Sequence, residues 1–241
     1  MKIAVQVYSL RHYINDKDSL FKALEDIKAA GYDGVEFAGY FGAEAAELKA
    51  KLDELGLVAV GGHIGIENFE SDKLADTIEF QHTLGVKAIG VGGAPHDTVE
   101  ECVHTGTVLG NAQKYAMDKY GMKVYYHNHT EEFKKFDDGS MPIDIIGDLC
   151  SLEIDTYWSF VAGMDNYEFL MAHKDNIVHL HIKDGIDGKP IVIGRGQCDI
   201  PTVVKAAKEM GMEWLIIENE DNDNDNAAAV TESLNYLKSL I

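Results

Sequence analysis

Apolar and polar positions follow two different periods along the chain. Short apolar runs rich in β-branched residues recur between longer segments whose apolar residues return every third or fourth position. The short runs predict strands at Lys2–Tyr8, Gly34–Phe37, Val58–His63, Ala88–Gly92, Lys123–Asn128, Leu152–Asp155, Val178–Ile182 and Trp214–Glu218. The longer segments predict helices over Ser19–Ala30, Ala43–Leu55, Asp72–Leu84, Thr98–Lys119, Asn166–Ala172, Thr202–Met210 and Ala227–Leu240, with a shorter one over Pro142–Cys150.

This alternation predicts an α/β fold, a (β/α)₈ TIM barrel that occupies residues 1–241 as a single domain. No linker or change of composition interrupts the series. Several predicted helices end at a glycine, which adopts the left-handed conformation that stops a helix. These glycines are Gly31, Gly56, Gly85, Gly121 and Gly211. No Gly-x-Gly-x-x-Gly follows the first strand, so the pattern disfavours a dinucleotide-binding Rossmann domain.

The charge of the chain narrows its partners. The formal net charge is −20, from 41 acidic and 21 basic residues, which repels nucleic acid and anionic membrane surfaces. The three cysteines are sparse and form no Cys-x-x-Cys pair, as in a reduced, cytoplasmic protein. No apolar run is long enough to span a membrane, and the first residues read as a strand rather than a signal peptide. We therefore expect a cytoplasmic protein with neither a nucleic-acid nor a membrane partner.

Candidate chemistry concentrates at the predicted carboxyl ends of the strands, where a (β/α)₈ barrel places its active site. Polar groups are costly in a core unless they are paired, so their concentration there favours a functional role. The residues at these ends are Gln6, Tyr8, Glu36, His63, His127, Asn128, His129, Glu131, Glu132, Asp155, Trp158, His179, His181, Lys183, Asp184 and Glu218.

Four of these residues predict a metal site. Glu132, Asp155, His181 and Glu218 belong to the last four strands, which are neighbours around the barrel rim. Three carboxylates with one imidazole suit Mn²⁺ best, with Mg²⁺, Co²⁺ or Zn²⁺ as alternatives. A salt bridge to a nearby lysine would explain any one of them alone. Four at successive strand ends favour a shared divalent cation.

The remaining polar residues are less specific. His179 lies deeper in its strand than His181 and is expected to be a packed, hydrogen-bonded residue. The pair His127 and His129 leaves metal ligation, support of a ligand and substrate binding open. The acidic run from Glu220 to Asn226 is expected to form a solvated loop and the start of a helix.

Several motifs together resemble one family. The chain is similar to the sugar-phosphate isomerase/epimerase group of xylose-isomerase-like TIM barrels, which is related to inosose dehydratase and ketose 3-epimerases. The resemblance rests on the segments Gly31–Glu36 (GYDGVE), His127–Phe133 (HNHTEEF), Asp155–Trp158 (DTYW), Val178–Asp184 (VHLHIKD) and Trp214–Glu218 (WLIIE). It implies the same four metal ligands, and it selects Glu132 over Glu131 because Glu132 directly precedes Phe133.

The resemblance also implies which residues meet the substrate. By similarity, His63, Lys183 and His129 would contact it. The strand-end residue Glu36 and the aromatic side chains of Tyr8 and Trp158 complete the predicted substrate site.

The implied activity is that of a metal-dependent isomerase or epimerase. The substrate would be a keto-sugar or related polyol that passes through an enediolate, with Glu132 and Glu218 transferring the proton on opposite faces. Two alternatives remain: a dehydratase or lyase of a keto-sugar or keto-inositol, and a barrel subunit of a heteromeric sugar-cleaving enzyme. The chain could therefore assemble as a homo-oligomer or with a partner subunit. The net charge and the single-metal set disfavour the family's endonucleases of abasic DNA.

Overall fold

Eight parallel strands form the core of the molecule. The computed structural model describes residues 1–220 and 226–241 of the chain. The strands are β1 (Lys2–Gln6), β2 (Gly34–Ala38), β3 (Val58–His63), β4 (Ala88–Val91), β5 (Lys123–His127), β6 (Ser151–Asp155), β7 (Ile177–Ile182) and β8 (Trp214–Ile217). They close into a barrel in the order β1-β8-β7-β6-β5-β4-β3-β2, so the predicted TIM barrel is confirmed.

Helices follow the strands and cover the outside of the barrel. They are α1 (Lys17–Ala30), α2 (Ala45–Leu55), α3 (Leu74–Leu84), α4 (Val99–Tyr120), α5 (Pro142–Gly147), α6 (Thr156–Val161), α7 (Asn166–His173), α8 (Ile200–Met210) and α9 (Asn226–Lys238). The apolar period of the sequence does not predict α6. Among the described residues, no helix is both long and apolar enough to cross a membrane.

Local signals in the sequence set the ends of the helices. The carboxylate of Asp16 accepts a hydrogen bond from the backbone N–H of Ser19 at 2.8 Å, which satisfies a free donor at the start of α1. The predicted glycine caps are confirmed at five helices, where φ is positive. They are Gly31 (φ 97°), Gly56 (φ 64°), Gly85 (φ 91°), Gly121 (φ 64°) and Gly211 (φ 73°).

The interior of the barrel contains an apolar layer and, nearer the carboxyl ends of the strands, a polar layer. Ala4, Val60 and Ile216 pack together as a small buried cluster, separate from the main core between strands and helices. Further along the strands, Glu36 of β2 meets His181 of β7 at 2.6 Å. Because β2 and β7 are not neighbours, this contact crosses the barrel interior. Such interiors are usually filled by branched apolar side chains, so the polar level marks a site.

A short hairpin extends beyond β7, and the sequence analysis did not predict it. Its two strands are Asp184–Ile186 and Lys189–Ile191. The Asp184 carboxylate accepts hydrogen bonds from the backbone N–H groups of Gly185, Gly194 and Gly196, at 2.9 Å each. A fourth N–H, from Cys198, lies at 3.1 Å. The loop after β7 is thus held to the barrel by one buried carboxylate.

Candidate functional site

Four donor side chains converge at the carboxyl ends of neighbouring strands. His127, Asp155 and His181 end or nearly end β5, β6 and β7, and Glu218 directly follows β8. One donor atom from each lies within 4.8 Å of the others, and all four residues are buried. We call these residues the mouth group. Three of the four predicted metal ligands therefore lie together, and His127 accompanies them in place of Glu132.

The orientation of Asp155 follows from its place at the start of α6. Its Oδ1 accepts hydrogen bonds from the backbone N–H groups of Tyr157 at 2.9 Å and Trp158 at 3.0 Å. This is an N-cap, which ties one carboxylate oxygen to the helix. The other oxygen, Oδ2, is buried and accepts no hydrogen bond. The cap therefore leaves Oδ2 available to a cation.

A lysine lies between the two carboxylates of the mouth group. The ammonium of Lys183 is 2.8 Å from Glu218 Oε2 and 3.1 Å from Asp155 Oδ2. Burial opposes its charge, but the surrounding carboxylates outweigh burial and raise the pKa of Lys183 above its usual range. Burial likewise opposes ionisation of Glu218, whose pKa Lys183 and His181 nevertheless hold well below its usual range. Both groups are therefore charged at neutral pH.

The position of Glu220 differs from the one that we predicted. We expected it to be part of a solvated loop, but its side chain is 22% exposed and its Oε1 lies 3.3 Å from Lys183 Nζ. Burial raises the pKa of Glu220 above its usual range, although Lys183 partly opposes the shift. Glu220 is thus a third carboxylate beside the lysine. The rest of the acidic run, 221–225, lies outside the described residues.

Glu132 is not a member of the mouth group. It is buried in a 3₁₀ turn, Glu131–Phe133, and accepts hydrogen bonds from the Tyr126 hydroxyl at 2.8 Å and the His129 N–H at 2.9 Å. His96 Nε2 lies 3.8 Å from Glu132 Oε1. Glu132 belongs to none of the clusters of donor atoms found among the described residues. Its role as a ligand stays a prediction.

The predicted substrate residues lie at different depths. Tyr8 is 44% exposed at the rim, where Arg11 lies over its ring. The ring centres of His129 and Trp158 lie 6.1 Å apart, and the two ring planes are tilted by 45°. The Lys183 ammonium lies 5.1 Å from the centre of the Trp158 ring. Glu36 is fully buried inside the barrel. Their substrate contacts stay predictions.

A second cluster of titratable groups lies deeper in the barrel. Glu36, Glu153 and His179 place one donor atom each within 4.8 Å of one another. Glu153 Oε2 also lies 2.6 Å from His63 Nε2 and 3.3 Å from His181 Nε2. A further combination of donor atoms joins His63, His127, Glu153 and His181. This combination shares His127 and His181 with the mouth group. An ion bound at the mouth would therefore occupy both imidazoles, and they could not also bind a second ion with His63 and Glu153.

Electrostatics in this interior are set by carboxylates and imidazoles. Burial opposes the charged forms, yet the carboxylates of Glu153 and Glu36 raise the pKa of His181 well above its usual range. They also raise the pKa of His63 against the same penalty. His181 and His63 in turn hold the pKa of Glu153 well below its usual range, although burial opposes this. His127 differs, because burial lowers its pKa to about 4 and keeps it neutral at pH 7.

Sequence reasoning missed Glu153, although a signal was present. Glu153 precedes Asp155 by two positions in β6, and alternate residues of a strand point to the same side. A glutamate inside an otherwise buried strand needs a partner, which predicts a polar interior. His179 was expected to be hydrogen-bonded, but its buried Nδ1 makes no hydrogen bond.

The mouth group fits a divalent cation. Asp155 Oδ2 is buried without a hydrogen-bond donor, and a positive group, Lys183, already lies beside it and Glu218. Oxygen donors with imidazole match Mn²⁺ or a similar ion. Asp155, His181 and Glu218, with His127 beside them, are the residues that would hold it.

Known proteins resemble this chain over most of its length. An inosose dehydratase from Lactiplantibacillus plantarum is 28% identical over an alignment of 255 positions, which covers 87% of this chain and 84% of the relative. A sugar phosphate isomerase/epimerase from Parabacteroides distasonis superposes with a TM-score of 0.84 at 22% identity, covering 99% of this chain and 94% of the other. An L-ribulose 3-epimerase superposes with a TM-score of 0.76 at 16% identity, covering 99% and 93%.

A family model accounts for nearly the whole barrel. The match runs over residues 24–240 and carries the description of a xylose isomerase-like TIM barrel. It includes seven of the eight barrel strands and every residue of the mouth group. The chain belongs to the xylose isomerase-like TIM barrel family.

Proposed function

We propose that this chain is a divalent-metal-dependent isomerase or epimerase of a keto-sugar or related polyol. One observation carries the proposal: Asp155, His181 and Glu218 present buried donor atoms at consecutive strand ends, within 4.8 Å of one another. We propose Mn²⁺ as the metal, with Mg²⁺, Co²⁺ or Zn²⁺ as alternatives. Sugar-modifying relatives support a small sugar-like substrate.

The residues around the mouth group suit removal of a proton next to a carbonyl. A bound cation would supply Lewis-acid polarisation of that carbonyl, which makes the adjacent C–H more acidic. Glu218 is ionised at neutral pH, so its carboxylate can accept the proton and leave an enediolate. Lys183 stays protonated and can donate a hydrogen bond to the oxygen that gains negative charge.

We assign the second proton transfer to Glu132. The Tyr126 hydroxyl and the His129 N–H hold its carboxylate from two sides, which fixes its direction. A proton returned to the opposite face of the same carbon inverts that centre, and one returned to the neighbouring carbon isomerises the sugar. Loss of a β-hydroxyl from the enediolate would give dehydration instead, a second candidate that the similarity to an inosose dehydratase favours.

The walls of the proposed substrate site combine rings with hydrogen-bond donors. The buried indole N–H of Trp158 has no acceptor within the described residues, so it is free to meet a substrate oxygen. His129 lies beside this ring, and Tyr8 lies exposed at the rim. We propose these residues, with His63 and Lys183, as the substrate contacts, whereas Glu36 is fully buried and holds His181.

Solvent exchange tests the proposal without knowledge of the product. The protein, stripped with a chelator and reloaded with Mn²⁺, is incubated in D₂O with a panel of ketohexoses and a keto-inositol. We expect deuterium at the carbon next to the carbonyl, seen by NMR, in the reloaded protein but not in the stripped protein. Glu218→Gln with metal still bound should lose the exchange. Mn²⁺ binding without exchange on any member of the panel would contradict the proposal.

A further inference from the structure

We propose that the barrel holds a second divalent transition-metal ion beneath the mouth group, bound by Glu36, Glu153 and His179. These three residues, the deep site, share no member with the mouth group. Glu36 and Glu153 are fully buried, and His179 is 6% exposed. They come from β2, β6 and β7, so their side chains meet inside the barrel. This inference goes beyond the proposed function and does not depend on it.

The distances between donor atoms match those around one ion. His179 Nδ1 lies 3.4 Å from Glu153 Oε1 and 3.9 Å from Glu36 Oε1. Donors about 2.1 Å from a tetrahedral ion are about 3.4 Å apart, so this spacing leaves room for one at their centre. His179 Nδ1 and Glu153 Oε1 are both buried, and neither makes a hydrogen bond.

A glycine leaves space open beside these ligands. A Cβ at Gly61 would lie 2.8 Å from both Glu36 Oε1 and the Tyr125 hydroxyl, and 3.1 Å from His179 Cε1. Any larger residue in this position of β3 would displace a proposed ligand. The sequence therefore places its smallest residue where the deep site needs room.

The charge at this level also suits an ion. Within the described residues, the ion pairs of Glu36 and Glu153 involve only histidines, and no lysine or arginine reaches them. In the metal-free chain, the imidazoles of His63 and His181 compensate the two carboxylates. A divalent ion would compensate both carboxylates from one position. Two carboxylates with an imidazole suit Mn²⁺, Co²⁺ or Zn²⁺.

The deep site touches the mouth group through its second oxygens. Glu36 Oε2 lies 2.6 Å from His181 Nε2, while His181 Nδ1 faces Glu218 Oε2 at 3.2 Å. A carboxylate that holds the far nitrogen of a ligating histidine fixes the direction of its ring. An ion in the deep site would therefore steady Glu36 and, through it, His181. We expect its loss to weaken metal binding at the mouth by about 10-fold.

Counting bound Co²⁺ tests the inference. The full chain is stripped with a chelator, checked for its fold by circular dichroism, and titrated with Co²⁺ while the visible absorption and the bound metal are measured. We expect two equivalents in the parent protein and one in His179→Gln. Asp155→Asn, which keeps the helix-capping oxygen but removes the charge at the mouth, should also bind one and should retain the absorption that His179→Gln lacks. The double variant should bind none.

The decisive comparison is between the parent and folded His179→Gln. Equal numbers of equivalents in these two proteins would overturn the deep site, whatever the mouth group binds. If only the mouth site fails to bind metal, the result differs. The parent protein and Asp155→Asn would each bind one equivalent of Co²⁺, and His179→Gln would bind none. If His179→Gln does not fold, Gly61→Ala replaces it, since it keeps every ligand and fills the space beside them. We expect Gly61→Ala to bind the deep ion at least 10-fold more weakly, and unchanged affinity would overturn the inference.

Discussion

The mouth group and the deep site both bury carboxylates in one barrel, but different cations compensate them. At the mouth, the Lys183 ammonium lies 2.8 Å from Glu218 and 3.1 Å from Asp155. In the deep site, imidazoles are the only cationic groups that meet Glu36 and Glu153 among the described residues. The lysine is part of the chain and stays charged across the physiological range, whereas an imidazole must gain a proton. The mouth therefore carries a permanent cation when metal is removed, and the deep site does not.

This difference in compensating cations suggests a different role for the mouth group and for the deep site. A permanent cation keeps the mouth carboxylates ionised, as catalysis by Glu218 requires. The deep carboxylates hold the rings of His63 and His181 instead. We interpret the mouth as the place of chemistry and the deep site as its support.

The largest effect that we expect comes from Asp155, whose Oδ2 is buried and accepts no hydrogen bond. Asp155→Ala should lose the mouth metal and lower turnover by about 10³-fold, because Lewis-acid polarisation contributes several kcal/mol. Bound metal and solvent exchange measure this. Asp155→Asn is the matched control: it should lose similar activity but keep the cap of α6, and so retain about 1 kcal/mol more stability than Asp155→Ala. Full metal content in Asp155→Ala would contradict the mouth assignment.

The second-largest effect that we expect is a loss of stability when the Lys183 ammonium is removed. Lys183→Met leaves Asp155 and Glu218 buried without their ammonium, and we expect the metal-free protein to lose about 3 kcal/mol of unfolding free energy. Mn²⁺ at about 100 times its Kd should restore up to about 2.7 kcal/mol, since it replaces the missing charge. Urea denaturation with and without Mn²⁺ measures both quantities.

The control for this variant is an exposed ion pair. Lys114 pairs with Asp118 on the surface at 2.9 Å, with side chains 77% and 71% exposed. Lys114→Met should change stability by less than about 1 kcal/mol, and Mn²⁺ should stabilise it by the same amount as it stabilises the parent protein. Equal losses in the two variants would mean that Lys183 does not compensate the mouth carboxylates.

Periodicity predicted the barrel and most of its mouth. The strand ends at Asp155, His181 and Glu218 follow from where each apolar run stops, and parallel strands bring such ends together. Contacts across the interior were not predictable in this way. The meeting of Glu36 with His181 depends on barrel tilt and side-chain length, which a one-dimensional pattern does not contain.

Glu132 shows the same limit in a turn. Its position before Phe133 was clear from the sequence, but its direction is set by a 3₁₀ turn and by two donors, the Tyr126 hydroxyl and the His129 N–H. Hydrogen bonds of this kind depend on the folded backbone. The sequence therefore located the carboxylate without determining its partners.

Glu132→Gln tests whether this carboxylate belongs to the mouth chemistry without binding its metal. We expect the metal content to be unchanged and the rate of solvent exchange to fall about 100-fold, as for loss of a general acid or base. Glu131→Gln, at an exposed neighbouring position, is the control and should leave both unchanged. If Glu132→Gln loses the metal instead, Glu132 is a ligand, as the sequence predicted.

The smallest effect that we expect is the loss of one hydrogen bond between a tyrosine and a carboxylate, and it should differ between the deep site and Glu132. The Tyr125 hydroxyl donates to Glu36 Oε1 at 2.6 Å, and the Tyr126 hydroxyl donates to Glu132 Oε1 at 2.8 Å. Each Tyr→Phe change removes one buried hydrogen bond to a carboxylate, which costs about 1.5 kcal/mol of stability. An ion at the deep site would bind the same oxygen of Glu36 and partly replace the lost donor. Tyr125→Phe should therefore lose less stability with Co²⁺ bound than without it, whereas Tyr126→Phe should lose the same amount in both. Equal losses for Tyr125→Phe in the two conditions would show that no ion reaches Glu36, and the contrast between the mouth and the deep site would then rest on protonated histidines alone.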